Sequence, residues 1–171
     1  MRGWGKLPLH HLHIERQPKN LRQMKQLLQY NAVHYTEFNE ETYRLLKKLS
    51  KTYGLPRMGY TRACFRVGNG WVLKVAFNMA GVNQCHREVG HFEYYSATGW
   101  GTPIPRTQWA DLSALPGGVR HASIYAEEVR IASAEEVHQW QCSGFIAAHF
   151  PNVDAQQIGV TYNGQVVAYD L

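Results

Sequence analysis

An α+β fold is what the 171-residue sequence predicts, and three observations carry that expectation. Apolar residues recur at helical spacing through the first third of the chain. Two later segments each hold a pair of strand-like runs joined by a glycine-containing turn. The elements run helices, hairpin, helix, strand, helix, hairpin, without the strict strand–helix alternation that a parallel sheet requires.

Leu21, Met24, Leu27 and Leu28 share one helical face, which predicts a helix over 21–30. Asn39 reads as the N-cap of a second helix. Glu40 and Glu41 follow in its first turn, where carboxylates meet the positive end of the helix dipole. Tyr43, Leu45, Leu46, Leu49 and Tyr53 supply its apolar stripe. Gly54 is its expected stop, because glycine takes a left-handed conformation at little cost. "YTRACFRV" and "WVLKVAF" are strand-like and flank Gly68-Asn69-Gly70, a hairpin signal. Gly81 to Ala97 reads as a helix carrying Glu88 and Glu93. Gly99 to Gly118 holds three prolines and four glycines and reads as loop. "HASIYAEEV" is a third strand. Ser133 and Glu136 form a capping box for a helix to about His149. "QIGVTY" and "QVVAYDL", joined by Asn163-Gly164, predict a final two-residue hairpin.

Hydrophobic residues make up 44% of the chain and charged residues 18%, enough for a packed core. No apolar run approaches the roughly 20 residues that span a bilayer. The first 20 residues lack the continuous apolar stretch of a secretory signal, so a cytoplasmic location is expected. Cys64, Cys85 and Cys142 are too few and too scattered for a disulfide framework, and read as reduced thiols. His10, His11 and His13 offer imidazoles to a transition metal, but no distant ligand set accompanies them, so they read first as a surface histidine cluster. The net charge is +5, and its excess is uneven. Arg2, Lys6, Arg16, Lys19, Arg22 and Lys25 face only Glu15 within the first 30 residues. Such an arm suits nucleic acid or an acidic protein face, but it reads first as a solvated basic tail. No interleaved aromatic platform accompanies it.

The segment "GNGWVLKVAFNMAG" places Lys74 at the centre of an otherwise apolar strand. A cation there needs an anionic partner, because a buried ammonium costs several kcal/mol unless paired. The next helix carries Glu88, 14 residues on. A strand lysine held by a helix glutamate is what holds nucleotide phosphates in protein kinases. "RACFRVGNGWVLKVAFNMAGVNQCHREV", Arg62 to Val89, resembles the N-lobe of the small kinase-like proteins of bacteria and their phages. Those look like "R-x-V/C-F/Y-x-L-G-N-G-x-V-L-K-V-A-x-N-x-A-G-x-x-Q-N-x-x-E", with Lys74 and Glu88 in register.

The resemblance covers roughly Gly54 to Leu171 and implies a reduced kinase-like domain over 54–171, which leaves 1–53 as a basic, partly helical N-terminal extension. Within that domain it implies an antiparallel N-lobe sheet with one helix. It implies ATP and Mg²⁺ as ligands, with Lys74 and Glu88 holding phosphates. "SIYAEEVR" would be the hinge, with Glu127 or Glu128 at the adenine edge. Asp170 would bind Mg²⁺. Counting back about 13 residues places Gln157 at the metal-binding asparagine, and five further back places Asn152 at the catalytic aspartate. Here the sequence departs from the pattern. Asn152 cannot accept a proton as a carboxylate does, and Gln157 is a neutral, longer ligand. Asp154, two residues on, is the candidate replacement base. Leu171 rather than glycine follows Asp170, no large helical lobe follows, and only Gly59-Tyr60-Thr61-Arg62 stands where a glycine-rich phosphate loop would be. The expected protein is therefore a kinase fold with a degraded catalytic loop that works mainly by binding a protein partner, in the manner of a phage protein acting on its host. The alternatives are an active compact phosphotransferase and a basic nucleic-acid-binding protein.

Overall fold

The computed structural model describes residues 16–35, 40–98, 104–115, 122–144, 148, 150 and 152–169. Two helices come first, α1 (Leu21–Tyr35) and α2 (Glu40–Tyr53). Asn20 caps α1, its Oδ1 accepting from the Gln23 N–H at 2.9 Å, and α1 runs five residues beyond its predicted end. Glu40 and Glu41 do stand in the first turn of α2, whereas Asn39 lies outside the described residues. Gly54 ends α2 at φ +82°, its N–H reaching the Ser50 carbonyl at 3.0 Å.

Strands β1 (Arg57–Met58), β2 (Arg62–Gly68) and β3 (Trp71–Ala76) follow, then α3 (Met79–Thr98), β4 (Thr107–Trp109) and β5 (Ser123–Glu127). They form an antiparallel sheet in the order β1-β2-β3-β5-β4. The β2–β3 turn is Asn69-Gly70, with φ of +55° and +76°, the doubly left-handed pair whose twist suits a two-residue hairpin. Two expectations are corrected in this sheet. The proline- and glycine-rich stretch 99–118 is not all loop, since β4 lies within it and pairs with β5. The predicted start of α3 at Gly81 moves to Met79, because Asn78 is the residue that holds its first turn. Asn78 Oδ1 accepts from the Gly81 N–H at 2.9 Å while Nδ2 donates to the Tyr60 carbonyl at 2.9 Å.

The sheet has a helix layer on each face, which explains a strand as apolar as β3. On one face Met24, Leu28, Leu45, Leu46 and Leu49 of α1 and α2 share a single core with Phe65, Leu73 and Val75. On the other, Cys85 and Val89 of α3 pack on Ala76 and Ile124.

A second, three-stranded antiparallel sheet contains β6 (Val129–Ile131), β7 (Ile158–Thr161) and β8 (Val166–Ala168), in that order. The predicted third strand thus divides at Glu128, its first half in one sheet and its second half in the other. Helix α4 (Ala134–Cys142) covers the second sheet through Trp140, which packs with Ile158 and Ala168. Both bonds of its predicted capping box form, Glu136 N–H to Ser133 Oγ at 3.2 Å and Ser133 N–H to Glu136 Oε2 at 2.7 Å. Helix α4 ends at Cys142, and the predicted continuous helix to about His149 is interrupted at Ser143, with Gly144 and Ala148 again helical. The Ser143 backbone turns extended there while its N–H still reaches the Gln139 and Trp140 carbonyls. The β7–β8 connection is one residue longer than the two-residue turn that Asn163-Gly164 suggests. Thr161 N–H bonds Gln165 O, Gly164 N–H bonds Thr161 O, and Gly164 alone takes positive φ, at +84°. That is the three-residue turn with a glycine in the left-handed position.

Candidate functional site

The pleat of the first sheet decides which side chains meet. In the antiparallel register Arg62 lies opposite Ala76, and Cys64 opposite Lys74, which in turn lies opposite Ile124. Residues opposite one another, and residues two apart, share a face. Arg62, Cys64, Lys74, Ala76 and Ile124 therefore all point toward α3. Helix α3 answers with Gly81, Cys85, Glu88 and Val89, its buried residues, which recur at helical spacing.

Gly81 brings the helix close. A Cβ built there would lie 2.2 Å from the Thr61 carbonyl oxygen. The close approach lets Glu88 reach the strands. Its Oε2 accepts from Lys74 Nζ at 3.1 Å, and its Oε1 accepts from Arg62 Nη2 at 2.5 Å. Glu88 and Arg62 are each only 8% exposed, so both ion pairs sit in a poorly screened interior where charge-assisted bonds are strong. Thr107 Oγ1 ties the Glu88 carbonyl at 3.3 Å, fixing the helix against β4. Cys85 Sγ lies 4.0 Å from Arg62 Nη1. Burial pushes the Cys85 thiol up from its ordinary value, with Arg62 pulling weakly the other way.

Lysine carries three donors. Glu88 engages one and orients the ammonium, so Lys74 can be held in place while it also meets further acceptors. The Gly59–Arg62 turn beside this site is closed by Gly59 N–H to Arg62 O at 3.0 Å, and Thr61 Oγ1 meets Gln84 Oε1 at 3.0 Å, so the turn is tied to the first turns of α3.

Of the sequence-predicted site residues, the fold brings Lys74 and Glu88 together. Glu128 sits at the crossing between the two sheets, where its N–H bonds Gly70 O at 2.8 Å and its carboxylate pairs with Arg66 at 2.5 Å. Its neighbour Glu127 is buried and held by Arg106, whose backbone N–H and side chain both reach it, at 2.8 and 3.0 Å. Asn152 and Asp154 lie exposed in the loop that leads into a 3₁₀ turn (Ala155–Gln157) and then β7. Gln157 Oε1 accepts from the Asp154 N–H at 3.1 Å, and the Gln157 N–H bonds Asp154 O at 2.8 Å. A metal reaching that amide oxygen would have to share or displace the first of these bonds. Asp170, His10, His11 and His13 lie outside the described residues, as do Arg2 and Lys6. Among the described residues no group of three or more His, Cys, Asp or Glu is placed to hold a metal ion. No helix among them is long and apolar enough to cross a membrane.

Sequence reasoning missed Arg62 as the second partner of Glu88. The signal was present, since Arg62 opens β2 two residues before Cys64, on the face that Lys74 shares across the hairpin. Comparison with protein-family models, curated proteins and solved structures finds no match to this chain.

Proposed function

We propose that the chain is a kinase-fold protein that binds a nucleotide through its phosphates at Lys74 and acts mainly through a protein partner, with phosphotransfer weak or absent. The observation that carries this reading is the Lys74–Glu88 pair, strand to helix, at 3.1 Å in the interior. A cation so held keeps a fixed direction, which suits phosphate oxygens. The break between β5 and β6 at Glu128 supports a role for that residue at the edge of an adenine. The 3₁₀ turn and hairpin that follow Asn152 and Asp154 support a reduced transfer loop. In this reading Asp170 holds Mg²⁺ with Gln157 as second ligand, and Mg²⁺ neutralises phosphate charge when bound. Weak transfer follows from chemistry, because an amide at Asn152 is no general base and Asp154 is offset by two residues. The partner expected from the resemblance is a bacterial host protein met by a phage-encoded chain.

The test is a thermal melt of wild type and Lys74→Ala, with and without millimolar Mg·ATP. A nucleotide at 100 times its Kd adds about 2.7 kcal/mol, a shift of several degrees for a chain of this size. Stabilisation of wild type and not of the variant is the expected result. Equal shifts, or none in wild type, would remove the nucleotide site. Robust label transfer from γ-labelled ATP would instead make the chain an active phosphotransferase.

A further inference from the structure

The charge of this protein is segregated by layer. Helices α1 and α2 together carry six Lys and Arg against two Glu, whereas residues 59–171 carry seven Lys and Arg against nine Asp and Glu. The positive excess therefore belongs to the α1–α2 layer, on the side of the first sheet away from Glu88.

Within that layer the start of α1 and the end of α2 enclose an open groove of about 540 Å³. Arg22, Lys47 and Lys51 line it, over an apolar floor from Leu21 and Leu55. All three cations are exposed, and none forms an ion pair among the described residues. The neutral polar groups of the groove are already used internally. Asn20 Oδ1 caps α1, and Ser50 Oγ donates to the Leu46 carbonyl at 2.7 Å. What the groove offers a ligand is therefore cationic charge beside an apolar surface.

The cations continue beyond the groove. Arg44, Lys47, Lys48 and Lys51 recur at helical spacing along the exposed face of α2, opposite its buried Leu45, Leu46 and Leu49. Four residues separate Lys47 from Lys51, about 6 Å along the axis, a step comparable to one nucleotide of an extended strand. The groove is open, and its volume suits one or two nucleotides of a single strand.

We infer that the α1–α2 groove binds the phosphodiester backbone of a single-stranded nucleic acid, with Arg22, Lys47 and Lys51 contacting phosphates and Leu21 and Leu55 meeting sugar or base edges. The site is separate from Lys74, so it stands or falls independently of the nucleotide pocket.

The experiment is fluorescence anisotropy of a labelled 12-nucleotide strand with the full chain, titrated from about 50 to 200 mM salt, the range over which phosphate contacts show their salt dependence. The Arg22→Gln/Lys47→Gln/Lys51→Gln triple variant is expected to bind about tenfold or more weakly. The slope of log K against log salt should fall by about 2, at roughly 0.7 for each single-strand phosphate that is no longer neutralised. Lys47→Arg/Lys51→Arg should bind as wild type, and Arg87→Gln, an exposed cation on α3, should change little. The inference is overturned if wild type does not bind the strand, if the triple variant binds unchanged, or if Arg87→Gln weakens binding as much as the triple change. It is also overturned if phosphatidylserine vesicles or a polyglutamate peptide compete with the strand at equal charge concentration.

Discussion

Arg62 Nη2 lies 2.5 Å from Glu88 Oε1, nearer to it than Lys74 Nζ, which is 3.1 Å from Oε2. The carboxylate is thus shared, and its two partners are not equivalent in what their loss would leave behind. Glu88→Ala takes the shared carboxylate from two largely buried cations and should cost about 3–5 kcal/mol. Lys74→Ala leaves Glu88 still paired with Arg62 and should cost less, about 1–3 kcal/mol. Urea denaturation of both variants checks the order, and equal losses would contradict the shared-carboxylate geometry. The smaller cost is also what makes Lys74→Ala usable in the nucleotide melt.

Gly81→Ala separates helix propensity from packing. Alanine should favour an exposed helix position by up to about 1 kcal/mol. Here its Cβ would meet the Thr61 carbonyl oxygen and come within 3.1 Å of Ala76 Cβ, and neither is the far end of a flexible side chain. Overpacking should win, with a loss of about 1–3 kcal/mol and a weaker Lys74–Glu88 contact. A stabilised variant would show that α3 does not ride so close to the strand.

The exposed clamp between Arg130 and Glu136 has a defined pH signature. Hydrogen bonds from Arg130 and from the Ser133 N–H hold the Glu136 carboxyl down at about 2, from an ordinary 4.5. A depressed folded-state value means that the stabilising contribution is complete above 4.5 and is lost as pH falls toward 2. A carbon-detected NMR titration should place the Glu136 midpoint near 2 in wild type. In Arg130→Gln it should move back toward the ordinary value, and an unmoved midpoint would remove Arg130 as the cause.

The three thiols should report the burial order directly. Cys142 is exposed, Cys64 half-buried and Cys85 buried with its thiol pushed up. A disulfide reagent at neutral pH should modify Cys142 first and Cys85 only on unfolding, since the thiolate is the reactive form. Fast modification of Cys85 in the folded chain would mean that α3 opens readily from the sheet.

Local chemistry was legible where a residue's own neighbours in sequence supply its partner. The Ser133–Glu136 box, the Asn69-Gly70 turn and the Gly54 helix stop each depend on bonds that span a few residues, and each is present. The Lys74–Glu88 pairing was legible for a different reason: a cation in an apolar strand demands a carboxylate, and the kinase-like resemblance, rather than spacing alone, points to Glu88 over Glu93 of the same helix. Elements whose identity depends on a distant partner were not legible. Strand β4 is three residues in a proline- and glycine-rich stretch, and only the open edge of β5 makes it a strand. The division of the third strand at Glu128 likewise depends on β7 arriving to pair with Val129–Ile131.

By itself, then, the amino-acid sequence determined the α+β class, both hairpins, the capped helix and the demand for an acid beside Lys74. These follow from backbone propensity, turn conformation and the cost of an unpaired buried charge. Tertiary structure alone decided that α1 and α2 cover one face of the sheet, that Arg62 joins Lys74 on Glu88, and that cations of α1 and α2 gather around one groove. The physical reason is that pleat, register and helix docking choose among many faces of similar hydrophobicity, and that choice is made by contacts between residues far apart in the chain.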